Sequence, residues 1–238
     1  MPTRSKKSLR ILISSGPTRE RVDPVRFISN DSTGVMGAAL TNEALRRGHR
    51  VTVVSGPATV PLPAKARIIN IESAAEMQAA LNRLSPKADA LIMAAAVSDW
   101  RVAKPAQNKL HRTGHLTLHL EPTPDILAGL ASVPGQVRVG FALETEGVLA
   151  RAARKLARKR LDVVLAQDAG SRRPFGDTPL DSWLLENGGV VRKLGRVSKA
   201  RVAGVLLDKV EALWYGQAVL RPHFRKGRSG AQRLRASR

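Results

Sequence analysis

Ala88-Asp89-Ala90-Leu91-Ile92-Met93-Ala94-Ala95-Ala96-Val97 decides the fold. Beyond Asp89 the run holds no polar residue, so a strand made from it has no face to turn to water. Strands buried on both faces belong to parallel sheets with helices above and below. The flanking segments agree. Residues 9–14 read as a strand, 34–47 as a helix with Met36, Ala39, Leu40 and Leu45 apolar, and 51–55 and 66–71 as two more strands. Residues 74–84 read as a helix capped by Ser73, with Glu76 three places on completing a capping box.

The alternation continues on the other side. Residues 117–120, 136–142 and 163–166 read as strands, and 124–130, 147–160 and 198–214 as helices. Residues 182–185 and 190–193 flank Glu186-Asn187-Gly188-Gly189, a hairpin signal. A polar segment at about residues 100–116, with Pro105 and Gly114, reads as a flap over the strand ends. The expected architecture is α/β and Rossmann-like: a mostly parallel sheet with helices on both faces, a flap and a C-terminal hairpin.

Composition sets the outer limits. The 238 residues suit one α/β domain, and 3% aromatic content makes its core Ala, Val, Leu and Ile. The absence of cysteine excludes disulfides, thiolate metal sites and a cysteine nucleophile. No run approaches the apolar length of a membrane span, so a cytoplasmic, membrane-free protein is expected. The net charge of +21 is concentrated in an expected disordered leader at 1–8, an expected disordered tail at 221–238, and the helical cluster from Arg151 to Arg160. The domain between, 9–220, is the expected folded unit. Such charge favours anionic partners, either phosphorylated small molecules or nucleic acid, the latter through the tail only.

Between the first strand and first helix runs Asp23-Pro24-Val25-Arg26-Phe27-Ile28-Ser29-Asn30-Asp31-Ser32-Thr33-Gly34. It lies at a strand's carboxyl end, where open α/β sheets bind ligands. Neither G-x-G-x-x-G nor a Walker A motif occurs, which argues against a conventional dinucleotide site or P-loop. Gly34 and Gly37 read equally well as a phosphate approach or as close helix-to-sheet packing.

Seven blocks in order resemble phosphopantothenate–cysteine ligase. They are Gly16-Pro17-Thr18-Arg19-Glu20, Asp23 to Asn30, Ser32 to Gly37, Ala94 to Trp100, Asn108 to Arg112, Pro124 to Leu127, and Gly140 to Thr145. The resemblance spans about residues 9–215 and implies a free-standing bacterial-type ligase of coenzyme A biosynthesis. Its implied substrates are 4′-phosphopantothenate, L-cysteine and CTP, with Mg2+, and its implied assembly is a homodimer with flap and hairpin as candidate contacts. It also implies residue roles. Asn30 and Lys109 are the catalytic candidates. Met93, Ala94, Ala95, Asp99, Lys109, Pro124, Asp125, Ile126, Leu127, Phe141, Lys155 and Lys159 are the nucleotide-site candidates. Arg26, Asn30, Ser32 and Gly34 are the substrate candidates, and Asp99 is the metal candidate.

The residues themselves allow other readings. Lys155 and Lys159 share one helical face, which suits a triphosphate or a solvated basic surface. Asn30 could donate to an oxyanion or cap the next helix with Asp31 and Ser32. Phe141 suits a nucleotide pocket or the core. His115 and His119 are expected on one face of a strand, too far apart to chelate an ion. Val35, His111, Arg112 and Gln167 depart from the family pattern, the first at a position where lysine is common. A nucleic-acid-binding α/β protein and an NAD-linked reductase are the competing functions; the first lacks stacking aromatics and the second its glycine fingerprint.

Overall fold

The computed structural model describes residues 7–112, 114–170 and 175–220. Residues 1–6 of the expected leader and the expected tail at 221–238 lie outside the described residues. The elements in chain order are β1 (Arg10–Ser15), β2 (Arg19–Arg21), β3 (Phe27–Ser29), α1 (Val35–Arg46), β4 (Arg50–Ser55), β5 (Arg67–Asn70), α2 (Ala74–Leu84), β6 (Ala90–Met93), β7 (Trp100–Val102), β8 (Leu120–Pro122), α3 (Ile126–Gly129), β9 (Val137–Glu144), α4 (Val148–Arg158), β10 (Val163–Asp168), β11 (Leu180–Glu186), β12 (Val191–Val197) and α5 (Lys199–Leu220).

The main sheet has eight strands in the order β5-β4-β1-β6-β9-β10-β11-β12. The first six in that row are parallel; β11 and β12 add antiparallel. Strand alternation divides the core. Ile11, Ile13, Val53, Ile92, Val139 and Leu165 pack under α1 and α5, while Leu12, Val54, Leu91 and Val164 pack with side chains of α2, α3 and α4. Full burial of each such side chain contributes about 1.5–3 kcal/mol. The expected α/β, mostly parallel architecture is what the chain forms, with helices on both faces. No helix among the described residues is long and apolar enough to cross a membrane.

Four local expectations are redrawn. The strand expected at 88–97 is β6 alone, ending at Met93, and residues 94–97 are half-buried beyond it. The long polar loop after β1 contains a hairpin, with β2 and β3 pairing from Arg19–Ser29 to Arg21–Phe27. The strand expected at 117–120 instead begins at Leu120, because its partner is β7 and the register runs from Val102–Leu120 to Trp100–Pro122. His115 and His119 therefore lie outside any strand. The helix expected at 124–130 shortens to α3, since Asp125 is extended and serves as its N-cap.

The sheet also opens where the ligand face begins. The strand order reverses between β1 and β6, the switch point of a doubly wound sheet. β6 pairs with β9 only as far as Met93–Gly140. Beyond that, Ala94 and Ala96 donate to Ser14 and Gly16 beside β1. β9 meanwhile runs on with β10 to Glu144. The pairing stops there, and the crevice outside the carboxyl ends at the switch point, where doubly wound sheets bind ligands, is flanked by the segments that carry the candidate residues.

Candidate functional site

The loop that enters α1 is fixed by close backbone packing. A Cβ on Gly37 would lie 1.9 Å from Ser15 Oγ, and one on Gly34 2.6 Å from the Ala58 Cβ. Gly34 has φ of +83°, a left-handed conformation that glycine adopts without strain. Both glycines thus answer to packing by their own chain. No side chain among the described residues caps α1, so the capping role considered for Asn30, Asp31 and Ser32 is not the one they play.

Asn30 turns the other way, across the switch point. Its Nδ2 donates to the carbonyls of Ala96 and Val97, at 3.1 and 3.0 Å. Both amide hydrogens are thereby used, and Oδ1 is the remaining polar atom. Ser29 Oγ donates to the Thr18 carbonyl at 2.7 Å, and Thr18 Oγ1 accepts from the Ser98 N–H at 3.0 Å. Thr123 binds the same segment twice, through its hydroxyl to the Ser98 carbonyl and its N–H to the Asp99 carbonyl. The Asp99 side chain stays exposed at the mouth. Ser32 is half-buried, and its neighbour Thr33 anchors the loop by accepting from Gly176 N–H at 3.2 Å.

The second wall is built by β9, α3 and α4. Lys155 Nζ donates to the carbonyl of Phe141, the first β9 residue past the last β6 pair. Burial lowers the Lys155 pKa, as does the neighbouring Lys159 charge; Glu144, Asp125 and Asp99 pull the other way. Lys159 pairs with Asp125 at 3.0 Å, and Asp125 Oδ1 also accepts from Ala128 N–H at 3.1 Å as the α3 cap. Burial would raise the Asp125 carboxyl, but the Ala128 N–H and Lys159 outweigh it and leave it below the usual range. Pro124 is exposed beside it, whereas Ile126 and Leu127 point into the core. Met93 is core as well; Ala94 and Ala95 are half-buried, with backbone N–H groups bonded to Ser14. Phe141 packs partly against the core. The rest of the basic cluster is partly paired: Arg151 reaches Glu146 at 2.7 Å and Glu144 at 3.7 Å.

The flap carries Lys109, exposed beside Leu110. Arg26, expected at the substrate, commits its two Nη atoms elsewhere, to Asp23 at 3.0 Å and the Leu110 carbonyl at 3.1 Å. The arrangement therefore brings Asn30 and Asp99 together on one side of the crevice and Lys155, Lys159, Asp125 and Phe141 on the other. Two contributors were not anticipated. Asp23 is fully buried and holds the flap. Arg138, 6% exposed, donates from Nη2 to the Leu127 carbonyl at 2.8 Å and supports α3 from below. A lone arginine inside the apolar run Val137 to Ala142 was its signal. Among the described residues no three His, Asp or Glu side chains gather to hold a metal. A cation here would take most of its ligands from phosphates and water, as Mg2+ commonly does.

Known proteins resemble this chain in sequence and in fold. The Coenzyme A biosynthesis bifunctional protein CoaBC of Escherichia coli strain K12 is 42% identical over 173 residues, covering 70% of this chain and 43% of that protein. The homonymous protein of Mycobacterium bovis is 37% identical over 215 residues, covering 84% of this chain and 51% of that one. The chain thus spans about half the length of these curated relatives. A crystal structure of the C-terminal domain of CoaBC superposes with a TM-score of 0.75 at 32% identity, covering 90% of this chain and all of that domain. The family model for the DNA/pantothenate metabolism flavoprotein C-terminal domain matches residues 6–213, and the chain belongs to that family.

Proposed function

We propose that this chain is a phosphopantothenate–cysteine ligase, joining 4′-phosphopantothenate to L-cysteine through an acyl-cytidylate. The observation that carries the reading is Lys155. Its ammonium is held at the mouth of the switch-point crevice against its own desolvation and against Lys159. A polyphosphate bound there relieves both penalties at once. The name of the CoaBC relatives, proteins of coenzyme A biosynthesis, supplies the pathway. A related fold, at 18% identity, has been solved with phosphopantothenate-cysteine bound.

In this reading the substrate carboxylate attacks the α-phosphorus of CTP and pyrophosphate departs. Lys155 and Lys159 offset the charge of the leaving phosphates, and Lys109 on the flap offsets charge at the reacting carboxylate. Asp99 would hold Mg2+, which would supply further neutralisation at the phosphates. The cysteine amine then attacks the acyl carbon, and CMP leaves with the bridging oxygen. Asn30 was expected to donate to the oxyanion of this step. With both Nδ2 hydrogens on carbonyls, its Oδ1 is better suited to accept from the incoming amine as that group sheds its proton.

We extend the proposal to a cytoplasmic homodimer. Trp100 and Leu116 on the flap, Leu120 beside it, and Val190 and Val191 on the C-terminal hairpin are exposed apolar side chains suited to contact with a second copy.

The test incubates the protein with 4′-phosphopantothenate, cysteine, Mg2+ and each nucleotide separately, and follows products by mass. Amide product with CTP is expected. Product with ATP alone would keep the ligase and overturn the nucleotide; no product from folded protein would overturn the ligase.

A further inference from the structure

Asp23 divides its two carboxylate oxygens between two tasks. Oδ1 accepts from the N–H groups of Val25 and Arg26, both at 2.8 Å, and closes the turn from β2 to β3. Oδ2 accepts from Arg26 Nη1 at 3.0 Å and from the N–H of Leu110, on the flap, at 3.1 Å. Arg26 Nη2 completes the pattern by donating to the Leu110 carbonyl at 3.1 Å. Leu110 is thus held at both its N–H and its C=O. A further bond, from Ala106 N–H to the Val22 carbonyl at 2.9 Å, runs alongside.

A cavity of about 400 Å3 lies within the flap beside these bonds, lined by Val22, Val102, Ala106, Leu110 and Leu116 among others. Lys109, His111 and Arg112 point to solvent. The Asp23 carboxylate is fully buried and surrounded by four donors, so it has no capacity left for a ligand. Burial would raise its pKa, but the N–H groups of Val25, Leu110 and Arg26 and the Arg26 charge prevail and hold it below the usual range.

We propose that Asp23 is a positioning residue: with Arg26 it latches the flap at Leu110 and so fixes the backbone beside Lys109, whose ammonium the ligase reading brings to the reacting carboxylate. The same short loop bears Asn30, so one turn sets the relative placement of both catalytic candidates. The catalytic consequence rests on the ligase reading; the latch itself does not. Displacement of a catalytic group by about 1 Å can cost on the order of 100-fold in rate.

Asp23→Asn separates the two tasks. It retains Oδ1 for the turn and replaces Oδ2 with an amino group that cannot accept from Leu110 or Arg26. Hydrogen exchange at the Leu110 amide is expected to accelerate about 10-fold or more while β1 is unchanged. With 4′-phosphopantothenate and CTP, kcat for pyrophosphate release should fall about 10- to 100-fold, with the KM for CTP moving less than about 3-fold. In a Lys109→Ala background Asp23→Asn should add nothing, because its effect passes through Lys109. An equal loss in that background would overturn the positioning role. Unaltered Leu110 exchange in folded Asp23→Asn would overturn the latch. Should that variant not fold, Arg26→Lys keeps a cation beside Asp23, gives up the bond to the Leu110 carbonyl, and is expected to loosen the same amide. If wild-type protein releases no pyrophosphate with any nucleotide, the ligase reading falls, and Leu110 exchange alone decides the latch.

Discussion

The Lys159 ammonium sits 3.0 Å from the Asp125 carboxylate that caps α3, so one acidic side chain ties the end of the basic helix α4 to α3 within one wall of the crevice. Lys159 is therefore partly neutralised at rest, while Lys155 shares its face and is bonded only to a carbonyl. An incoming polyphosphate competes with Asp125 for Lys159 and, among the described residues, meets no acidic competitor at hydrogen-bond range for Lys155.

Unequal effects of the two lysines follow. Lys155→Met should weaken nucleotide binding about 10- to 100-fold, the larger loss, because a charge-assisted contact in a desolvated place is the stronger one. Lys159→Met should cost less, and it should also raise the Lys155 pKa by removing a neighbouring positive charge. Calorimetric titration with CTP across a pH series measures both. Equal losses would contradict the asymmetry.

Gly37 and Ser15 make a second pair with opposite expectations. Gly37→Ala places a methyl 1.9 Å from Ser15 Oγ and 2.4 Å from its Cβ, so α1 must shift from β1, at a cost of about 1–3 kcal/mol. Trimming the hydroxyl would not relieve it, since the Cβ clashes too. Ser15→Ala alone should be neutral or slightly stabilising, because Ser15 Oγ is buried without a hydrogen-bond partner. Urea unfolding of the two variants checks both signs.

The sheet was legible because its signal is periodic and redundant: Ile11, Leu12 and Ile13 alternate between two cores, and β4, β6, β9 and β10 repeat the pattern. What remained hidden depends on long-range partners. Nothing local distinguishes an asparagine that caps α1 from one that spans to Ala96 and Val97, 66 and 67 residues away. Leu116 to Leu120 alternates like a strand, yet β8 starts only where β7 offers a partner. Asp23 reads as an ordinary turn residue before proline; its second oxygen acquires a role only when the flap arrives 87 residues later. Lys155 and Lys159, by contrast, were legible because helical spacing alone puts them together.

Acid should loosen the packing of α1 on α5. The hydrogen bond from Arg46 holds the Glu43 carboxyl down to about 2, with Arg47 assisting and burial opposing. Arg47 also reaches Asp208 at 2.8 Å and Glu211 at 3.3 Å on α5. A carboxylate depressed in the folded state adds stability that is complete above its unfolded value, 4.5, and fades as pH falls toward 2. Since Arg46 is largely exposed, the gain is about 1 kcal/mol after solvent screening. Glu43→Gln should lower the melting temperature at pH 7 and flatten its decline between pH 5 and about pH 2. Thermal unfolding followed by circular dichroism across that range would read it out. A parallel decline in variant and wild type would show that Glu43 is not responsible.

Arg138 separates stability from function most sharply. Burial lowers its pKa, Asp162 opposes that, and its Nε has no hydrogen-bond partner. A buried cation so incompletely satisfied contributes little net stability, and a methionine of similar length fills its space without the desolvation cost. Arg138→Met should therefore leave unfolding free energy within about 1 kcal/mol of wild type, or raise it. The Leu127 carbonyl, however, loses the donor that holds α3 from beneath, and Asp125 at the head of α3 loses its fixed position toward Lys159. The KM for CTP should rise roughly 3- to 10-fold with kcat little changed, because the variant disturbs the nucleotide wall and leaves Asn30 and the flap in place. A large loss of stability with unchanged KM would reverse the assignment and make Arg138 a structural residue of β9 alone.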